Sequence, residues 1–268
     1  MSRFYVIGHP ITHSLSPRIH RAFARQMGID MTYDTYDITP GRFVEGLSEL
    51  MREAQPRGAN VTVPFKLDAA QYCASNMTER AKEARAVNTL IFEDETVYGD
   101  NTDGIGFVRD VEMRYGFPIK GSRVLLLGAG GAARGVLSAL RHCACASICV
   151  ANRTPAKAQA LALDFGVRSV LYSDTAQGGY DLIVNCTSSS LNNMAPPVPM
   201  QAFAQAQLCY DLFYAPTETP FMRLARESGC ARVQDGLGML VEQAAESFFC
   251  WHGVRVETEA VFQELRNA

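Results

Sequence analysis

The spacing of apolar and polar positions switches between a strand period and a helix period from one end of the chain to the other. Residues 4–8 form a short apolar run, and residues 31–38 alternate and carry Tyr33 and Tyr36, so both predict strands. Between them, Ser16-Pro17 offers an N-cap and an N1 proline, and Gly28 a stop, which predicts a helix from Ser16. Thr39-Pro40 opens a second helix that gathers Phe43, Leu47, Leu50 and Met51 on one face. Residues 59–63, closed by Pro64, and 86–92 read as buried strands, with helices at 66–73, 78–85 and 104–115 between them. A second block starts near Gly121. It runs as strand 123–127, glycine turn 128–131, helix 132–143, strand 147–151, helix 155–165, and strands 170–172, 182–185 and 208–212. An amphipathic helix at 238–251 and a last helix at about 257–266 end the chain. Repeated βα units whose strands are apolar on both faces predict an α/β protein with parallel, doubly wound sheets.

Composition narrows the class. With 268 residues, 47% apolar and 20% charged, the chain is too apolar for disorder, and a net charge of −3 offers no basic footprint for nucleic acid. Its longest uncharged apolar run, residues 124–133, is far short of the ~20 residues that span a bilayer. Only residues 4–7 are apolar before Gly8-His9-Pro10, so no signal peptide and a cytoplasmic location are expected. Eight cysteines without a C-x-x-C pair read as reduced thiols, and neither they nor the five histidines suggest a metal site.

The clearest chemistry lies in the second block. Gly128-Ala129-Gly130-Gly131-Ala132-Ala133 follows a strand and opens a helix, in the form G-x-G-x-x-A. The first glycine permits the tight turn, the second lets a pyrophosphate approach the backbone, and the helix start supplies free N–H groups. A glycine cluster can be merely a tight βα turn, but the strand–turn–helix–strand setting favours a dinucleotide. An acidic residue at the end of the next strand would hold the ribose hydroxyls of NAD. This chain instead has Asn152-Arg153-Thr154-Pro155-Ala156-Lys157 there, with no carboxylate and two cations. A guanidinium can grip a phosphate with two N–H groups, and an ammonium adds a point charge, so NADP is the expected ligand. The bland alternative is a solvated pair of cations at a helix start.

Three polar clusters fall at strand ends of the first block. They are His13-Ser14-Leu15-Ser16, Asn60-Val61-Thr62-Val63-Pro64-Phe65-Lys66, and Asn88-Thr89 with Asp100-Asn101-Thr102-Asp103. Ser14 and Ser16 could hold a carboxylate, although Ser16 could equally be a simple cap. Lys66 beside Asp103 could supply a proton to a developing alkoxide. By spacing alone, a lysine and an aspartate this far apart would ordinarily be separate surface charges.

Taken together, the chain resembles the shikimate dehydrogenase family along its whole length. The resemblance is carried by Gly8-His-Pro-Ile-Thr-His-Ser14-Leu-Ser16-Pro17, Gly58-Ala-Asn60-Val-Thr62-Val-Pro-Phe-Lys66, Ala86-Val-Asn88-Thr and Asp100-Asn-Thr-Asp103-Gly. It continues through the glycine turn to Arg134, Asn152-Arg-Thr154, Tyr210-Asp-Leu-Phe-Tyr214 and Asp235-Gly-Leu-Gly-Met239-Leu-Val-Glu-Gln243. It implies NADP-dependent, reversible reduction of 3-dehydroshikimate to shikimate, a step toward chorismate and the aromatic amino acids. It assigns Lys66 as acid/base with Asp103 as its partner. Ser14, Ser16, Asn60, Thr62, Asn88, Asp103, Tyr214 and Gln243 would hold the substrate. Gly128, Ala129, Gly130, Gly131, Ala132, Asn152, Arg153, Thr154 and Lys157 would bind NADP, with Thr187, Leu212, Gly236 and Met239 at its nicotinamide end. Gln243 by itself is only a polar residue on an apolar helix; the resemblance alone singles it out. Ser190 departs from the glycine many relatives carry there, which leaves the backbone path of this loop open, and Leu212 stands where methionine also occurs.

The implied architecture is a substrate domain of residues 1–103 plus 237–268 and a Rossmann-type NADP domain of 104–236, with a cleft between them. The C-terminal helices return to the first domain. A monomer or homodimer is expected. The competing readings are an enzyme that also takes quinate or NAD, and a non-catalytic NADP-binding regulatory homologue, which would be expected to lack Lys66 or Asp103.

Overall fold

The computed structural model describes residues 1–267 and divides into two compact units, Met1–Gly106 with Leu240–Ala268, and Phe107–Met239. These boundaries lie three residues beyond those expected from the sequence.

In the first unit the order is β1 (Ser2–Gly8), α1 (Ser16–Met27), β2 (Met31–Asp37), α2 (Phe43–Ala54), β3 (Gly58–Val61), α3 (Lys66–Tyr72), α4 (Glu79–Ala84), β4 (Thr89–Glu93), β5 (Thr96–Asp100) and α5 (Asp103–Arg109), whose later residues pass into the second unit. The sheet runs β2-β1-β3-β4-β5. β1, β2 and β3 are parallel, but β4 pairs antiparallel with both β3 and β5. This sheet is therefore mixed, parallel through β2, β1 and β3 and antiparallel at β4 and β5. The short turn after β4 leaves no room for the crossover a parallel pair requires, so the chain reverses as a hairpin. One face of the sheet packs Ile7, Ala59, Val61, Leu90 and Phe92 against Phe43, Leu47 and Leu50 of α2 and Ala69 of α3. The other carries Phe4, Val6 and Tyr33 with Trp251.

The α1 helix begins at Ser16 itself, with Pro17 in its first turn, and ends at Gly28 in the left-handed region at φ +64°. Ser16 is thus not the N-cap expected of it; the Ser14 hydroxyl instead accepts from the Ser16 N–H at 3.3 Å. The α2 helix starts later than Thr39-Pro40 suggested, because residues 40–41 form a turn with Gly41 at φ +85°.

The second unit opens with the last residues of α5 and the π-helical turn, Asp110–Arg114, that continues it. Then follow β6 (Arg123–Leu127), α6 (Gly131–Arg141), β7 (Ser147–Ala151), α7 (Pro155–Phe165), β8 (Arg168–Ser169), β9 (Leu182–Asn185), β10 (Leu208–Asp211), α8 (Pro220–Glu227) and β11 (Val233–Gln234). All six strands are parallel in the order β11-β10-β9-β6-β7-β8, the doubly wound dinucleotide-binding topology. The β6 strand shows why the pattern was continuous. Val124 and Leu126 face one core with Val136, Leu137 and Leu140 of α6, while Leu125 and Leu127 face another with Phe221 and Ala225 of α8. Each of these leucines is fully buried, a contribution of about 1.5–3 kcal/mol apiece. The strand expected at 170–172 is displaced to Arg168–Ser169, where only two residues join the ladder.

The chain ends with α9 (Leu237–His252) and α10 (Glu259–Arg266). Among the described residues no helix is long and apolar enough to cross a membrane.

Candidate active site

In open α/β sheets ligands sit beyond the carboxyl ends of the strands, where the strand order reverses. In the first unit that point lies between β1 and β3, from whose ends lead the turn carrying Ser14 and Ser16 and the corner carrying Thr62 and Lys66. Because β4 runs the other way, its first residue, Thr89, pairs with Asn60 on one side and with Asp100 on the other. Asn88 and the residues after Asp100 are thereby delivered to the same sheet edge.

Lys66 is the first residue of α3, where a cation opposes the helix dipole. Its Nζ donates to Asp103 Oδ2 at 2.5 Å, with side-chain exposures of 12% and 4%. The two residues that spacing left as separate charges are therefore a largely buried pair. The other carboxylate oxygen, Oδ1, accepts from Asn88 Nδ2 at 2.9 Å, and Asp103 N–H donates to Asn101 Oδ1 at 3.1 Å. Asn88 Nδ2 also lies 3.1 Å from Gln243 Oε1, and Gln243 Nε2 donates to the Leu240 carbonyl at 2.8 Å. So Gln243, far away in sequence, joins the Lys66–Asp103–Asn88 cluster through α9.

Asn60 is buried and occupied from within. Its Oδ1 accepts from Tyr33 at 2.7 Å, and its Nδ2 donates to Ser247 Oγ at 2.9 Å and the Asn88 carbonyl at 3.1 Å. Thr89, Thr102 and Ser247 form a buried hydroxyl group beneath Asn88, with Thr89–Ser247 at 2.8 Å and Thr102–Ser247 at 3.1 Å. Tyr33 and Ser247 were not anticipated from the sequence. The available signal was that Ser247 follows Gln243 by one helical turn and shares its face.

A second layer holds the Asp100–Asp103 turn. Arg80 of α4 donates to Asp100 through Nε at 2.7 Å and Nη2 at 2.6 Å, and to Glu246 at 3.0 Å. Glu246 also pairs with Arg255. Burial pushes the Asp100 carboxyl up, but the hydrogen bonds and charge of Arg80 outweigh it and hold the group below its ordinary value. Asn101 Nδ2 donates to the Ala86 carbonyl at 2.8 Å, tying the turn to the residues before Asn88.

In the second unit the strand order reverses between β6 and β9, and the glycine turn lies there. Gly128 has φ +112°, and a Cβ on it would lie 3.0 Å from the Cys186 carbonyl group after β9. A side chain there is excluded twice over, by backbone conformation and by contact. Gly130 caps α6 and has open space where a Cβ would stand. The first N–H groups of α6, from Gly131 and Ala132, have no partner within the helix and can receive a phosphate. Asn152 lies after β7 and donates to the Thr154 carbonyl at 3.1 Å; Arg153 and Lys157 are exposed at the start of α7. The site thus fits a dinucleotide with an extra phosphate on its adenosine end.

At the other end of this edge, Thr187 donates to Asn185 Oδ1 at 2.7 Å, and Leu212 N–H donates to the Asn185 carbonyl at 2.9 Å. Gly236 N–H donates to the Phe213 carbonyl at 3.2 Å, and Met239 N–H donates to the Tyr210 hydroxyl at 3.3 Å. The open question at position 190 has a structural answer: Ser190 Oγ donates to the buried Asp211 carboxylate at 2.7 Å. Burial pushes that carboxyl above its ordinary value. Tyr214 lies in the second unit, so the expected substrate residues are not all carried by one unit. Among the described residues no group of three or more His, Cys, Asp or Glu side chains is arranged to hold a metal.

Comparison with known proteins agrees with this geometry. Residues 6–90 match the shikimate dehydrogenase substrate binding domain, 111–206 match shikimate / quinate 5-dehydrogenase, and 236–266 match the shikimate 5'-dehydrogenase C-terminal domain. A shikimate dehydrogenase (NADP(+)) of Nitrosospira multiformis is 49% identical, over 100% of this chain and 98% of the relative. Among solved structures, an Ael1 enzyme from Pseudomonas putida superposes with a TM-score of 0.90 at 43% identity, covering 99% and 98% of the two chains. The shikimate 5-dehydrogenase of Thermus thermophilus, solved in complex with NADP(H) and shikimate, superposes with a TM-score of 0.88 at 36% identity over 100% and 99%. A carboxylate-paired lysine at one sheet edge, a glycine turn at the other, and full-length likeness to these proteins lead to one conclusion: the chain belongs to the shikimate dehydrogenase family.

Proposed function

We propose that the chain catalyses the reversible, NADP-dependent interconversion of 3-dehydroshikimate and shikimate, with Lys66 as the acid/base. The observation that carries this reading is the 2.5 Å Lys66–Asp103 pair, held in a cluster of neutral donors and acceptors at the ligand edge of the first sheet.

In the direction of reduction, NADPH supplies a hydride to the carbonyl carbon when bound. Lys66 Nζ gives a proton to the carbonyl oxygen as negative charge builds there, and regains one from solvent. Asp103 fixes the direction of the ammonium and accepts from a ring hydroxyl. General acid catalysis of this kind contributes about 10²–10⁴-fold. Ser14 and Ser16 hold the substrate carboxylate at the start of α1. Thr62, Asn88 and Gln243 hold ring hydroxyls, which replace some of the contact Asn88 and Gln243 now make with each other. Asn60, whose amide is already engaged, contributes by fixing Asn88. Tyr214 is assigned to the substrate by the resemblance alone.

Gly128, Ala129, Gly130, Gly131 and Ala132 take the pyrophosphate. Asn152, Arg153, Thr154 and Lys157 take the adenosine end, with Arg153 and Lys157 on its 2'-phosphate. Thr187, Leu212, Gly236 and Met239 border the nicotinamide. The reading places the enzyme in the cytoplasm, as a monomer or homodimer.

The test is formation of NADPH by the purified chain from NADP⁺ and shikimate, with NAD⁺ and quinate as the alternative reactants. Higher kcat/KM for NADP⁺ and shikimate than for either alternative is the expected result. No turnover of shikimate, or equal efficiency with NAD⁺, would overturn it.

A further inference from the structure

Asp211 ends β10 with a carboxylate that is fully buried in the second unit. Four donors from four places in the chain converge on it. Asn185 Nδ2 at the end of β9 donates to Oδ1 at 3.0 Å, and the Phe213 N–H donates to the same oxygen at 3.1 Å. Ser190 Oγ and Thr219 Oγ1 each donate to Oδ2 at 2.7 Å. A buried carboxylate with this many charge-assisted bonds is a strong local constraint, because releasing any one of them leaves charge uncompensated in a dry site.

The four donors belong to the segments that shape one end of the cofactor edge. Asn185 also holds Thr187, through both its N–H at 3.1 Å and its hydroxyl at 2.7 Å. Thr187 and Ser189 share a further hydroxyl contact at 2.7 Å, and Ser190 opens the 3₁₀ turn that follows. Phe213 lies next to Leu212 and receives Gly236 on its carbonyl. Thr219 caps α8 by accepting from Met222 N–H at 3.2 Å. None of the four donors lies on the glycine turn or at the start of α7.

We propose that Asp211 is a positioning residue for the nicotinamide half of the cofactor, and that Ser190 is the specific contact by which it sets the 186–190 loop. The Ser190 hydroxyl thereby does for this loop what a backbone without a side chain at that position would have to do by other contacts. This inference rests on the assignment of Thr187 and Leu212 to the nicotinamide end.

The test compares NADP⁺ with adenosine 2',5'-bisphosphate, which keeps the phosphorylated adenosine end and lacks the nicotinamide. Ser190→Ala and Asp211→Asn are to be titrated with both ligands by calorimetry, together with Arg153→Ala as a control, and each variant's melting temperature recorded. Both positioning variants are expected to bind NADP⁺ about tenfold more weakly. Their affinity for the bisphosphate, and the KM for shikimate, should stay within about twofold of the parent. Arg153→Ala should weaken both nucleotides. Unchanged NADP⁺ affinity in Ser190→Ala would overturn the proposal. Equal weakening of both nucleotides would also overturn it, since the carboxylate would then support the unit as a whole. If Asp211→Asn does not fold, Ser190→Ala alone decides. Failure of the parent chain to bind either nucleotide would instead count against the functional reading itself.

Discussion

The two ligand edges are built from opposite materials. In the first unit, the edge proposed for the substrate is made of side chains locked to one another: Lys66 on Asp103, Asp103 on Asn88, Asn88 on Gln243, with Asn60, Thr89, Thr102 and Ser247 packed beneath. In the second, the inner part of the site is backbone, made by a glycine at φ +112° and the open end of α6, and side chains matter mainly at its two extremities. A shape-coded substrate calls for many directed polar groups, whereas a pyrophosphate calls for N–H groups and close approach. Mutations in the two units should therefore fail in different ways.

The largest separation is expected from Lys66→Ala. Steady-state kinetics should show kcat reduced by about 10³-fold, while NADP⁺ titration gives a Kd within twofold of the parent. Loss of NADP⁺ affinity in this variant would break the division between the two edges.

A second difference concerns pH. His20 is fully buried in the first unit, stacked on Tyr33 with ring centroids 4.2 Å apart, and neither ring nitrogen has a hydrogen-bond partner. Burial, the largest cause, lowers its pKa from 6.5 to about 3. Below pH ~6.5 the unfolded chain then binds a proton that the folded chain refuses. Stability should thus fall as the pH drops from about 6.5 toward 3, by roughly 3 kcal/mol at pH 4 from this residue. Urea unfolding at pH 7 and pH 4 should show His20→Phe losing much less stability on acidification than the parent.

Gly128→Ala sharpens the comparison from the other side. The left-handed backbone and the 3.0 Å approach to the Cys186 carbonyl group should cost about 1–3 kcal/mol of stability, seen in the urea midpoint. NADP⁺ should bind more weakly while the KM for shikimate holds. The smallest effect is expected at Arg153, the exposed side-chain end of the second edge. Arg153→Ala should raise the KM for NADP⁺ about tenfold and leave that for NAD⁺ nearly unchanged, narrowing the preference between them.

What was legible in the sequence follows the same division. The bounds of β6, β7, α7 and β9 agree with the apolar runs and the Thr154-Pro155 start, because strands buried on both faces and proline-opened helices are marked locally. The glycine turn was legible for the same reason. The β5 strand was not, since its Gly99-Asp100 end reads as polar loop until β4 reverses beside it. The α8 helix has its own Thr219-Pro220 start but spans only Pro220–Glu227, and β11 contributes only two residues to its ladder. The π-turn at Asp110–Arg114 has no local signature. In the first edge, Lys66 and Asp103 stood out by their chemistry but not by their spacing, and Gln243 was legible only through family resemblance. What joins them is the closure of α9 on β4 and α5, and pairwise spacing carries no trace of that. Tyr33, Ser247 and the Arg80–Asp100–Glu246 network were missed on the same account.

The central claim is that Lys66 Nζ carries the proton that accompanies hydride transfer, giving it as an ammonium in reduction and taking it as an amine in oxidation. Its most direct test is a stopped-flow single turnover of Lys66→Ala with NADP⁺ and shikimate both saturating, in the absence and presence of added ethylamine. The account expects NADPH to appear about 10³-fold more slowly than in the parent and the rate to rise with amine concentration. NADPH appearing at the parental rate without amine would contradict it.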